Sequence, residues 1–120
     1  MTLEQCYAAM GGNYADVIGR LHSETFVQKF VLKFAEGTDF DALHAALDEG
    51  RTQDAFRAAH TIKGVASNLG MTELYATSSQ LTELLRDGIQ RDVSAALAEL
   101  DASYRKTLNA IQQFRTDNGL

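Results

Sequence analysis

The sequence predicts an all-α fold: an antiparallel up-and-down four-helix bundle with additional helices at its amino end. Three observations carry that expectation. None of the 120 residues is proline, which removes a backbone donor and breaks helix interiors, so a chain built mostly of long helices avoids it. Glycines punctuate the chain instead, at Gly11 and Gly12, Gly37, Gly50, Gly70 and Gly88, each where apolar periodicity stops. Between those breaks apolar residues recur at steps of three and four, and no segment reads as a strand.

A short helix is expected near residues 3–10, ended by Gly11 and Gly12. Asn13 opens the next stretch, about 14–35, with a break near His22 and Ser23. Thr38 or Asp39 starts a helix near 40–49, Thr52 one near 53–69, Thr72 one near 73–87, and Asp92 the last, near 93–115. In that last helix Val93, Leu97, Leu100, Tyr104, Leu108 and Ile111 form one apolar stripe, and Leu74, Leu81, Leu84 and Leu85 do the same in the helix before it. Short links make consecutive helices antiparallel neighbours. Residues 116–120 are the one stretch expected to be disordered.

Length and charge then narrow the function. A chain of this size closes one core, so residues 1–120 are expected to form a single domain. Eleven Lys and Arg against sixteen Asp and Glu leave a net charge of −5, which argues against nucleic acid and anionic membrane surfaces as partners. The amino terminus lacks the basic start and apolar run of a signal peptide, and no stretch approaches the ~20 apolar residues that span a bilayer. A cytoplasmic, free-standing chain beginning at Met1 is the expectation. Cys6 stands alone, so an internal disulfide and a cysteine metal cluster are both excluded, and it reads as a small half-buried residue of the first helix.

The helix near 53–69 carries the chemistry. On a wheel at about 100° per residue, Ala55, Ala58, Ile62, Val65, Ala66 and Leu69 form the core face. Gln53, Phe56, Arg57, His60, Lys63, Gly64 and Ser67 lie opposite. His60 therefore points at solvent, and the ordinary account of a histidine on an apolar face, a satisfied core residue, does not apply. Gly64 lies one turn above it on the same face, where glycine costs about 1 kcal/mol against alanine and no turn demands it. Its missing side chain leaves room for an approach to the imidazole from outside. Lys63, three residues after His60, brings an ammonium within reach of whatever joins the ring.

A solvated imidazole is mostly neutral at pH 7 and nucleophilic at a ring nitrogen. Phosphoryl transfer asks for little more than position, an in-line approach and cations against the equatorial oxygens. The chain has no glycine-rich phosphate loop and no carboxylate cluster arranged for Mg²⁺, so those parts must come from a partner.

Residues 60–70, HTIKGVASNLG, resemble the signature of histidine-containing phosphotransfer (HPt) domains. The family pattern is a phosphorylated His, a hydrophobic residue, Lys, Gly, small residues, and a hydrophobic residue with a closing Gly. Here these are His60, Ile62, Lys63, Gly64, residues 65–67, Leu69 and Gly70. The resemblance implies a four-helix bundle with the signature on its second long helix, His60 as phosphoacceptor, Lys63 as the stabiliser of the phosphoryl group, and Gly64 as the clearance for docking. It implies a phosphocarrier rather than an enzyme, without cofactor or metal of its own, serving the receiver domains of response regulators and of a hybrid histidine kinase. A monomer is expected, because one chain holds enough helices to close the bundle.

The sequence departs from the family at one position. Members often carry Gln or Glu twenty-two positions after the His, where it holds the other imidazole nitrogen; Thr82 stands there, with Gln80 two residues earlier. Tyr75, Ser79 and Arg86 share that flank, and the sequence leaves open which of them reaches the ring. Phe56 reads equally as packing against the neighbouring helix or as an apolar contact for a docking partner. Arg57, Lys63 and Arg86 supply local positive charge within an acidic chain. Phe56, Arg57, Ser67, Thr82 and Arg86 are thus the candidates for docking or ring orientation.

Rival readings have less support. A metal site in a bundle needs paired Glu-x-x-His elements, and Asp41 with His44 is a single partial copy. A histidine-kinase dimerisation domain needs two chains to close its bundle. A purely structural bundle would make the signature accidental.

Overall fold

Seven helices and no strand make up the computed structural model, which describes all of Met1–Leu120. In chain order they are α1 (Leu3–Met10), α2 (Tyr14–Leu21), α3 (Glu24–Ala35), α4 (Asp39–Asp48), α5 (Thr52–Asn68), α6 (Thr72–Leu85) and α7 (Ser94–Asn118). The expected break within 14–35 is complete. His22 adopts a left-handed conformation at φ 60° and its amide donates to the Ile18 carbonyl, which ends α2. Ser23 then accepts from the Phe26 amide and starts α3. Asn13 caps α2 in the same way through the Asp16 amide.

Other helix starts differ from the expectation by a residue. Arg51, Met71 and Val93 precede α5, α6 and α7, and none of them makes a side-chain cap. Thr52 and Thr72 are the first helical residues rather than caps, and Asp92 instead accepts from both the amide and the hydroxyl of Ser94. The far end of the chain corrects a second expectation. Residues 116–118 continue α7, Gly119 closes it at φ 67°, and the Asn118 side-chain amide donates to the Met1 carbonyl at 2.9 Å. A contact between the two ends of the chain holds a segment whose composition alone suggests fraying.

Sequence neighbours pack on one another: α4 on α5, α5 on α6, α6 on α7. The circuit closes where Phe40 of α4 stacks on Tyr104 of α7, centroids 4.0 Å apart, and His44 Nε2 meets Asp101 Oδ1 at 2.7 Å. Residue numbers rise along α4 as they fall along α7 through these pairs, so the two helices run in opposite directions. The amino-terminal helices attach from outside, α1 along α7 and α3 more lightly against it. All seven contribute to one cluster of 26 buried apolar residues. No helix is long and apolar enough to cross a membrane.

The attachment of α1 and α2 is specific to the end of α5. The last carbonyls of a helix lack intrahelical partners and need donors from elsewhere. Here the buried Tyr7 hydroxyl donates to Leu69 O at 2.6 Å, Arg20 Nη1 donates to Ser67 O and Asn68 O, and the Asn13 amide donates to Gly70 O. Gly70 sits at φ 66°, and a Cβ there would come 2.9 Å from the Asn13 carbonyl, so a side chain would push the amino-terminal segment away.

Cys6 is fully buried rather than half-buried. Burial pushes its thiol up to about 11 from an ordinary 9.0, and raises the Tyr7 phenol as well. Ionisation therefore favours the unfolded chain: the Cys6 contribution to stability is complete below pH 9.0 and is lost as pH climbs towards about 11. Urea midpoints should fall between about pH 8 and about pH 10.5, and Cys6→Ala should lessen that fall without abolishing it, since Tyr7 titrates too. Parallel losses in the two proteins would refute the assignment.

Candidate functional site

Helix α5 is built to be approached closely from one side. Ala55, Ala58, Ala59 and Ala66 are buried with Ile62, and alanine combines the highest helix propensity with the smallest side chain that still shields backbone. Packing of α4 and α6 against this stripe leaves the opposite face to solvent. His60, Arg57, Gly64 and Ser67 are exposed there, while Phe56 and Lys63 are half-buried. Val65 is half-buried rather than a full core residue, which places it at the edge of the stripe.

The His60 ring makes no hydrogen bond to the protein. Its neighbour is Phe56, one turn earlier, with centroids 5.8 Å apart and planes 22° apart. The guanidinium of Arg86, the residue that caps α6, lies over the same phenyl ring, Cζ 5.5 Å from its centroid. Arg86 also holds Glu83 through Nε at 3.1 Å and Nη2 at 2.7 Å, which keeps the Glu83 carboxyl below the usual range, with a smaller contribution from Lys63. Above His60, a Cβ built on Gly64 would meet nothing within 4 Å.

The positive charges read from the sequence are not equivalent. Arg57 is paired with Asp54 at 3.1 Å, and Arg86 with Glu83 at 2.7 Å. Lys63, three residues after His60, forms no ion pair, although its charge helps to hold the Glu83 carboxyl low. Ser67 lies nearly two turns beyond His60, and its carbonyl is taken by Arg20. Thr82 is buried, with its hydroxyl donating to Ser78 O at 2.6 Å, a bond within its own helix. The structure thus stacks Phe56 on His60 with Arg86 over the same phenyl ring, sets Lys63 and Gly64 on the next turn of α5, and gives neither Thr82 nor Ser67 a hydrogen bond to the ring. Tyr75, Ser79 and Gln80 make no hydrogen bond to the ring.

The remaining histidines have local partners. His44 pairs with Asp101 and packs its ring edge-on to Phe40 at 4.7 Å, while His22 ends α2. A cavity of about 530 Å³ opens on the other side of α5, lined by Leu21, Phe30, Phe34, Phe40, Ile62 and Tyr104, and His60 takes no part in it. The stack of Phe56 on His60 is what sequence reading missed. Its signal was present, since residues four apart on a helix are surface neighbours.

Open space above Gly64 makes a prediction about stability. Gly64→Ala should raise unfolding free energy by about 1 kcal/mol through helix propensity alone, read as a higher urea midpoint at unchanged slope. A decrease would show that something fills that space.

A model of the Hpt domain family matches residues 35–114, two-thirds of the chain, from the end of α3 through α4, α5 and α6 to Phe114 in α7. No curated protein and no solved structure gives a significant match. Hpt domains take part in histidine phosphotransfer in phosphorelay signalling, as phosphocarriers rather than enzymes, with receiver domains as partners. The matched segment contains all of α5, with the solvent-facing histidine and the lysine three residues after it, and on that match the chain belongs to the Hpt domain family.

Proposed function

We propose that His60 is the phosphoacceptor of a phosphorelay intermediate, taking a phosphoryl group from a receiver-domain aspartate and passing it to another receiver. The observation that carries this reading is an imidazole exposed on the outer face of α5, free of protein hydrogen bonds, with open space above it at Gly64. In the neutral ring, the lone pair of one nitrogen attacks phosphorus in line. The P–O bond to the aspartyl oxygen breaks, and the carboxylate leaves with that electron pair. The other ring nitrogen keeps its proton, so the phosphorylated ring carries positive charge until the proton is released. The reverse sequence delivers the group to the next receiver.

Lys63 offsets charge on the equatorial oxygens, and its lack of an ion-pair partner leaves the ammonium available for that task. The receiver supplies Mg²⁺ and its acidic residues. Arg57 and Arg86 form the rim against which it docks, and the absent side chain at Gly64 lets it come near. The donor receiver belongs to a hybrid kinase and the acceptor to a response regulator. The chain acts as a monomer, a single domain over residues 1–120, in the cytoplasm.

Incubation with a phosphorylated receiver domain tests the reading. Acid-labile label should appear on the protein and be absent from His60→Gln at unchanged melting temperature; label surviving in that variant would place the acceptor elsewhere. An ammonium at an open, wet site contributes less than a donor in an enclosed one, so Lys63→Ala should slow transfer about tenfold. Gly64→Gln should block transfer by bulk while the bundle stays folded, and transfer at the original rate would refute the clearance.

A further inference from the structure

Transfer requires the acceptor ring to hold an orientation, because a nucleophile that samples many poses spends little time in line with phosphorus. No hydrogen bond from the protein holds the His60 ring. Thr82, at the position where the family resemblance places an anchor, is buried and directs its hydroxyl at Ser78 O. The group that does meet the imidazole is the Phe56 phenyl ring, nearly parallel to it at 5.8 Å. That ring is itself secured: it packs on the core cluster, and Arg86, held by Glu83, covers it from the C-terminal cap of α6.

We infer that Phe56 is the positioning residue of His60, setting the plane of the imidazole by stacking where a hydrogen bond to a ring nitrogen is lacking. The inference rests on His60 being the phosphoacceptor. Residues four apart on a helix are placed to touch, and a near-parallel offset pair of rings resists rotation of either about its Cβ–Cγ bond. Stacking restrains the ring without occupying a nitrogen, so one is left for attack and the other keeps its proton in water. The phenyl face is the negative part of its quadrupole, so the contact strengthens as the phosphorylated imidazole becomes positive. Arg86 acts through Phe56, holding the phenyl ring against α5.

Transfer from a phosphorylated receiver, measured at saturating receiver, separates positioning from docking when combined with calorimetric Kd values for the same pairs. Phe56→Leu should lower the saturated rate about tenfold with Kd unchanged within a factor of two, and Phe56→Tyr should restore most of the rate. A raised Kd with an unchanged saturated rate would make Phe56 a docking contact and overturn the inference, as would equal rates in all three proteins. If Phe56→Leu does not fold, NMR of the unsubstituted protein decides. Upfield ring-current shifts of the His60 ring protons, with nuclear Overhauser contacts to the phenyl protons, support the stack, and random-coil shifts overturn it. Absence of any label on the unsubstituted protein would count against the phosphoacceptor reading itself, a result distinct from a rate that ignores Phe56.

Discussion

The buried stripe of α5 is the constraint on which the rest depends. Ala55, Ala58, Ala59, Ile62 and Ala66 must leave water together, and α4 and α6 meet the helix there. Once that face is committed, a period of 3.6 residues leaves no freedom over where His60, Lys63 and Gly64 go. The site is therefore a by-product of packing in the strict sense. Small buried side chains let the flanking helices close on α5, and the chemistry-bearing residues occupy the face that no neighbour covers. A large residue in the stripe would turn or displace the helix and move the imidazole with it.

A helix that presents a nucleophile has to be held along its axis as well as about it. Donors from α1 and α2 reach the last carbonyls of α5, and the close approach at Gly70 allows the amino-terminal segment to do so without a side chain between. The helices before the bundle thus complete the end of the helix that carries His60. Their apolar contributions, Leu3, Cys6, Tyr7 and Met10 above all, merge with the bundle's own core.

Electrostatics at the site depends on which charges are already satisfied. The chain is acidic; Glu83 pairs with Arg86, and Asp54 is shared between Arg51 and Arg57. Exposed pairs of this kind contribute little to stability. Arg86 keeps a second task, since its guanidinium rests on the phenyl ring while it holds the carboxylate.

Local patterning was enough for the helices, for the interruption at His22 and for the outward face of α5, because each follows from periodicity and from residues that leave helices readily. It was also enough to place the Phe56 and His60 rings one turn apart, although not to show that they stack. Packing in three dimensions settled matters in which distant groups compete. The Thr82 hydroxyl took a carbonyl of its own helix, Arg57 and Arg86 found carboxylates, and residues 116–118 stayed helical through a contact with Met1. Periodicity assigns a side chain to a face of its helix. Which partner it takes there depends on what the rest of the chain brings within about 3 Å, a distance at which hydrogen bonds are made or lost.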